Sequence, residues 1–419
     1  MPRVLVIGGT SFIGRATVSA LLSRGHDVTV CNRGKSSNPF DGRVSHVRCD
    51  RRRSPDVLLA TLRLGWAVVV DFVAFEPNDV AAVTEAGGGC IGRYVFISTD
   101  SIYMAVDPAS FLRAENNRLL ESSDAQYVAS ADRAREDEYG ADKLAAEAVL
   151  RGATSTAADT TVSAAAAAAS SPTAPLRVLA LRLPDVIGPH ENTGRLHKLL
   201  VRLLRGRSIG TAICGEAGAG RTRPIGMVGA ADVAEAVCAA VRCGEGGGGG
   251  EGGGDAFVAC HVCSDETPTW VELVEMAASE LQRLGLDVPA VRLDDGRDSG
   301  YVSVDCGPLD NSRAKRELSG GGGGGCGDGG VGDGWSAAPL AERVSEAVEW
   351  WVGKMRAEWE AEAAAEEEAE EEVVAPDVSV HPPVGATRED VSRLSRERVL
   401  RETLRRRRLR REAMHASAR

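Results

Sequence analysis

Aromatic residues make up only 4% of the 419-residue chain, and no stretch reaches the roughly 18 consecutive apolar residues that a membrane helix needs. The first scarcity limits base stacking as a way of holding nucleic acid, and the second excludes a helical membrane span. No signal-like segment precedes the first apolar run, "RVLVIGG". The ten cysteines sit singly in strand-like and helix-like segments, without the spacing of a disulfide framework. Reduced thiols are expected, in a cytoplasmic protein or in an organellar one if the N-terminus of this sequence is truncated. A zinc site is not expected either. "CHVC" (Cys260, His261, Cys263) has suitable ligand types, but it has no second matching pair and its cysteines point to opposite faces of a strand.

A uniform charge is lacking as well, with 49 Lys and Arg against 60 Asp and Glu. The net charge of -11 conceals an acidic stretch, "EWEAEAAAEEEAEEE" from Glu358, followed by a basic end, "RLSRERVLRETLRRRRLRRE" from Arg393. Of the 48 glycines, 17 fall in runs at 246–254 and 320–330. With the alanine-rich segment 152–175, these read as flexible insertions in surface loops, because their composition cannot bury enough apolar surface to offset ordering entropy.

What is present is an alternation: "RVLVI" then "FIGRATVSALLSRG", "HDVTVC" then a polar loop, "AVVVDFVAF" then "NDVAAVTEAGG", then "RYVFIST". Strands apolar on both faces, separated by amphipathic helices, predict a doubly wound parallel α/β sheet. "LRVLALRLPDVIGP" reads as a further buried strand. Three regions follow: a nucleotide-binding domain over 1–190, a smaller substrate lobe with returning elements over 191–357, and a tail over 358–419.

"VLVIGGTSFIGR" places a strand, a glycine turn and a helix in immediate succession, the arrangement whose open amides and helix dipole favour a diphosphate. The turn residues Gly8, Thr10, Ser11, Phe12, Ile13 and Gly14 are its candidates, with Ser11 where a glycine is usual. At the end of the second strand, "CNRGK" offers neutral Asn32, and cationic Arg33 and Lys35 suited to a 2′-phosphate. That pattern favours NADP and leaves NAD open. Asp50 is placed to meet an adenine amino group, and Arg51 is a cofactor-binding candidate beside it, with plain surface as the alternative for this run of arginines.

"EYGADKLAAE" sets Tyr139 and Lys143 four apart on one helix face. An ammonium close to a phenol lowers its pKa toward the working range, which makes the tyrosine a general acid/base. "FISTDSIYM" delivers Ser98, Thr99, Asp100 and Ser101 at the end of a buried strand. Buried hydroxyls and carboxyls without partners are costly, so this strand end reads as the wall of a site.

In this order, "GGTSFIGR", "ISTDSIY", "YGADK" and "LRLPDVIGP" resemble the extended short-chain dehydrogenase/reductase superfamily, in its NAD-dependent epimerase/dehydratase group, from Arg3 to about Met355. The resemblance implies a Rossmann domain and hydride transfer at a hydroxyl-bearing carbon of a sugar or nucleotide-sugar. It implies Tyr139 as acid/base, Lys143 on the nicotinamide ribose, Thr99 on the reacting oxygen and Ala74 near the cofactor. Asp100 followed by Ser101, where sugar-nucleotide 4,6-dehydratases carry Asp then Glu, disfavours that reaction. Asp185 stands where UDP-sugar epimerases commonly have Asn. The serine-bearing turn and "NRGK" also resemble the atypical branch of chloroplast stem-loop RNA-binding proteins, which keeps RNA as an alternative ligand and the basic end as its aid. A scaffold without turnover is the third alternative. A homodimer is also left open.

Overall fold

The computed structural model describes residues 2–107, 129–130, 132–159, 176–213, 215–245, 255–301, 304, 308–319 and 334–374. Its first half runs β1 (Arg3–Ile7), α1 (Phe12–Ser23), β2 (Asp27–Asn32), β3 (Ser45–Arg48), α2 (Pro55–Leu62), β4 (Trp66–Asp71), α3 (Ala81–Ala86), β5 (Ile91–Thr99), α4 (Arg133–Glu136), α5 (Glu138–Asp159) and β6 (Val178–Leu183). There follow β7 (Asp185–Ile187), α6 (Arg195–Leu204), β8 (Ile209–Ala212), β9 (Met227–Gly229), α7 (Ala230–Glu245) and β10 (Phe257–His261). The chain continues through α8 (Trp270–Arg283), β11 (Leu293–Asp298), α9 (Ser312–Glu317) and α10 (Leu340–Val374).

Seven strands form one parallel sheet in the order β10-β6-β5-β4-β1-β2-β3, the doubly wound topology that the alternation predicts. Val4, Leu5, Val6, Val68, Val69, Val70, Val95 and Phe96 are buried, and burial of each such side chain contributes about 1.5–3 kcal/mol. Helices α1 and α7 pack together over one face. The carboxyl ends of β1, β4, β5 and β6 therefore share one edge, where connecting turns can build a site.

The run "LRVLALRLPDVIGP" is not one strand. Pro184, which has no N–H to donate, separates β6 from β7. β7 leaves the main sheet and pairs with β9, which carries Asp185 out toward the second lobe. That lobe has its own core, in which Leu196, Leu199, Leu200 and Leu203 of α6 meet Leu273, Val274 and Leu281 of α8 and Val344, Val348 and Trp351 of α10. A capping box between Thr269 and Glu272 starts α8. Asp232 on α7 receives two bonds from Arg343 on α10, at 2.7 and 2.9 Å, fastening the closing helix to the sheet domain.

Two boundaries differ from the sequence reading. α5 runs to Asp159, so the alanine-rich insert is helical over its first eight residues, 152–159, consistent with the high helix propensity of alanine. α10 continues through 357 to Val374 as one helix, so the acidic stretch prolongs the last helix of the lobe. The rest of that insert, both glycine runs from 246 and 320, and the basic end lie outside the described residues. Among the described residues no helix is long and apolar enough to cross a membrane, no metal-binding group of side chains is found, and all seven described cysteines are free thiols.

Candidate functional site

Gly8 leaves β1 with its N–H bonded to the Cys31 carbonyl of β2 at 2.9 Å, and the chain turns at once into α1. A Cβ on Gly14 would lie 2.2 Å from the Gly8 carbonyl oxygen, so only glycine allows the helix to start this close to the strand. Ser11 is the N-cap and makes no side-chain cap bond, leaving the first amides of α1 open to an anion. Phe12 is buried and Ile13 half-buried, so these two anchor the turn through their side chains while their backbone belongs to the amide cradle. Thr10 accepts from Asn32 Nδ2 at 3.1 Å, and Asn32 Oδ1 accepts from the Gly34 amide at 2.8 Å and lies 2.9 Å from His46 Nε2. Asn32 thus ties β2 to the phosphate turn. Beyond it Arg33, Lys35 and Arg48 are exposed, with Arg48 lying against Gly34.

Asp50 accepts the Arg52 amide at 3.1 Å and stabilises its own turn. Arg51 corrects the surface reading: its Nη2 donates to Asp71 Oδ2 at 2.5 Å, and Tyr94 donates to the same oxygen at 2.9 Å. The guanidinium is 11% exposed, and its Nε and Nη1 are buried without a hydrogen-bond partner.

The reaction end forms where β5 meets α5. A Cβ on Gly140 would sit 2.1 Å from the Ser101 carbonyl oxygen, and this close approach lays the first turn of α5 on the 3-10 turn Asp100–Ala105. Tyr139 is thereby brought beside Thr99 and Asp100. Thr99 Oγ1 lies 3.2 Å from Ser101 Oγ and 3.3 Å from Asp100 Oδ1, and it accepts the Ser101 amide at 3.1 Å. Lys143, one helical turn on, is fully buried. Its Nζ donates to the carbonyls of Ala74 and Ile97, both at 2.7 Å, and stands 4.8 Å from the Phe96 ring, 5.1 Å from Phe75 and 6.0 Å from Tyr139.

These placements set the protonation states. Burial lowers the Lys143 pKa to about 8, against the pull of Asp71 and Glu147. Burial raises the Tyr139 phenol above its ordinary 10, with Thr99 opposing and Asp100 adding to the rise. This reverses the expectation that Lys143 depresses it, because the ammonium is bonded to two carbonyls and not to the phenol. Burial, and then the charge of Asp185, raise the Asp100 carboxyl well above its ordinary value. Asp185 itself is paired with Arg195, the first residue of α6.

Behind this site runs a buried polar chain. Ser98 donates to Glu147 Oε1 at 2.6 Å; Arg182 holds both oxygens of Glu147, at 3.1 and 2.7 Å, and donates to the Tyr103 hydroxyl at 3.2 Å. The Tyr103 hydroxyl lies 2.6 Å from His261 Nε2, and His261 Nδ1 lies 3.1 Å from the Asp310 carbonyl oxygen. Burial lowers the His261 pKa to about 3, so the ring is neutral. His261 of the cysteine-flanked stretch is therefore a partner of Tyr103. Glu147, four residues past Lys143, was within reach of the same helical spacing that found the pair. Arg195, Arg182 and Phe75 carry no local motif.

The comparisons speak to the family and the fold. Residues 4–252 match the model of the NAD dependent epimerase/dehydratase family. Among solved structures, UDP-glucose 4-epimerase from Thermotoga maritima with UDP-glucose covers 84% of this chain and 99% of its own, at 17% identity and a TM-score of 0.55. The NAD complex of dTDP-glucose 4,6-dehydratase from Bacillus anthracis covers 84% and 97%, at 14% identity and a TM-score of 0.56. The curated chloroplast stem-loop binding protein of 41 kDa b from Arabidopsis thaliana is 28% identical over 118 residues, which span 25% of this chain and 31% of that relative. With more than half of its length matched to one family model, the chain belongs to the NAD dependent epimerase/dehydratase family, an enzyme family that uses a nicotinamide dinucleotide.

Proposed function

We propose that this enzyme moves a hydride between NADP or NAD and a hydroxyl-bearing carbon of a sugar-like small molecule, with Tyr139 as the acid/base. The observation that carries the reading is the convergence of Tyr139, Thr99 and Asp100 over buried Lys143, at the sheet edge that also holds the open amides of α1. A bound nicotinamide ring supplies the hydride acceptor or donor. The Thr99 hydroxyl orients the reacting oxygen, and the protonated Tyr139 phenol gives that oxygen its proton when a carbonyl is reduced. In the opposite direction the phenolate must form first, to take the proton of the substrate hydroxyl. Asp100, beside Thr99, is a second polar group for a substrate hydroxyl. The glucose nucleotides named for the structural neighbours support a sugar. Exposed Arg33 and Lys35 support NADP over NAD.

Calorimetric titration with NAD+, NADH, NADP+ and NADPH tests the reading. Micromolar binding of one oxidised and reduced pair is expected, and Tyr139→Phe should keep that binding while losing turnover. Absence of binding by all four refutes it. RNA binding is the second reading, favoured by the match to the stem-loop binding protein. It calls for an RNA stem-loop whose affinity falls steeply between 50 and 200 mM salt.

A further inference from the structure

The segment 72–76, which follows β4, makes one wall of the reaction centre. Its Ala74 carbonyl accepts a hydrogen bond from Lys143 Nζ at 2.7 Å. Its Phe75 ring stands 6.4 Å from the Tyr139 ring, and the two residues are 44% and 46% exposed, so both rings are open to a ligand. The carbonyls of Ala74 and Ile97 take two of the three N–H groups of the Lys143 ammonium and thereby fix where the third points. A shift of Ala74 re-aims that third donor.

Two buried carboxylates anchor this segment. Asp71, the last residue of β4, accepts the Val73 amide at 3.0 Å. Asp79 accepts the amides of Phe75 at 2.8 Å and Glu76 at 3.3 Å through one oxygen. A single guanidinium serves both carboxylates: Arg51 Nη2 donates to Asp71 at 2.5 Å, and Arg51 Nη1 lies 3.9 Å from Asp79. Arg51 comes from the turn after the edge strand β3, beside the adenine candidate Asp50, yet its fork is turned inward onto the anchors of segment 72–76. A planar guanidinium reaches two carboxylates at once in fixed directions, which the point charge of a lysine does not.

We infer that Arg51 is a positioning residue for the reaction centre: it braces Asp71 and Asp79, which set the Ala74 carbonyl against Lys143 and the Phe75 ring beside Tyr139, and it does not itself hold the dinucleotide. The inference rests on the reading of Tyr139 and Lys143 as the reaction centre and adds the residue that keeps one wall of it in place.

The test is calorimetric titration of NAD+ and NADP+, and of ADP and 2′-phospho-ADP, which lack the nicotinamide half, into the wild type, Arg51→Met and Arg51→Lys. Arg51→Met is expected to weaken the dinucleotide by roughly tenfold, about the worth of one hydrogen bond to a charged group, and to leave the matching adenosine fragment unchanged. Arg51→Lys restores the charge without the fork and should fall between. Hydrogen exchange over 72–76, followed by mass spectrometry, should quicken in Arg51→Met, because three amides of the segment bond to the two carboxylates. Equal weakening of dinucleotide and fragment overturns the inference, since Arg51 then holds the adenosine itself; so does an unchanged dinucleotide affinity or an unchanged exchange rate. Should Arg51→Met fail to fold, Asp79→Ala, which releases the Phe75 and Glu76 amides, must show the same split between dinucleotide and fragment, and loss of both or of neither is refuting. If the wild type binds no dinucleotide, the proposed function fails, and exchange in Arg51→Met alone decides whether Arg51 braces the segment.

Discussion

Replacing Glu147 by Gln removes one charge from a pair in which Glu147 is 3% and Arg182 1% exposed. Burial works to raise the Glu147 pKa, and the Arg182 guanidinium outweighs it, so the group sits below its ordinary 4.5. Glutamine keeps the shape and one acceptor for Ser98, but leaves a guanidinium buried without a counter-charge. Breaking such a pair from one side costs about 3–5 kcal/mol, a large part of the 5–15 kcal/mol that typically holds a domain together. With a urea slope of about 3 kcal/mol/M, the unfolding midpoint followed by tryptophan fluorescence should fall by about 1–1.7 M. The double variant Glu147→Leu with Arg182→Met should recover most of that, because a buried ion pair is often no better than apolar residues of similar volume. A folded-state pKa below the unfolded one means that the pair stabilises above about pH 4.5. That stability is lost as pH falls through the folded-state value. The gap between wild type and Glu147→Gln should therefore be full at pH 7 and close in acid. A single variant losing under 1 kcal/mol at pH 7, or a gap that widens in acid, would refute the reasoning.

Two further outcomes follow from other parts of the site. Gly14→Ala forces a Cβ to 2.2 Å from the Gly8 carbonyl oxygen; the turn must open, and dinucleotide affinity measured by calorimetry should fall at least tenfold while the far-UV circular dichroism of the sheet domain is retained. Lys143, with its pKa lowered to about 8, carries its charge below that pH. Turnover that depends on the ammonium should decline as pH rises through about 8, and a profile flat to pH 10 would remove Lys143 from the charged role. The stability effect has the opposite sense: the folded protein gains relative to the unfolded chain between about 8 and 10.5, where only the unfolded lysine is still protonated.

The sheet was legible because "RVLVI", "AVVVDF" and "RYVFIST" are apolar on both faces, which only central parallel strands require. Tyr139 and Lys143 were legible because helical spacing puts them on one face, and the phosphate turn because a strand and a helix flank its glycines. The charge states were not. The Lys143 ammonium finds its hydrogen bonds on the carbonyls of Ala74, in the loop after β4, and Ile97 of β5, which only the fold brings to it. Arg51 sat in a run of arginines that nothing in the sequence distinguishes. Only the fold brings Asp71 and Tyr94 to its guanidinium. Arg195 was invisible for the same reason: its partner lies ten residues back, across a loop.

The sheet closes late in synthesis. Its edge strand β10 begins at Phe257, after α6, β8 and β9 of the second lobe have been made, yet it pairs in register with β6, Phe257 against Val178 and His261 against Arg182. Helix α7, which covers α1, is also made after β6. A ribosome therefore releases six strands of the cofactor domain while β6 still has a bare edge and α1 a bare face, both open to wrong partners. His261, the last residue of β10, then joins the buried chain through Tyr103, so the arrival of that strand also completes the polar support behind Ser98. The sheet and the lobe are thus interleaved in the chain: the sheet cannot finish until the first elements of the lobe, α6, β8 and β9, have been made.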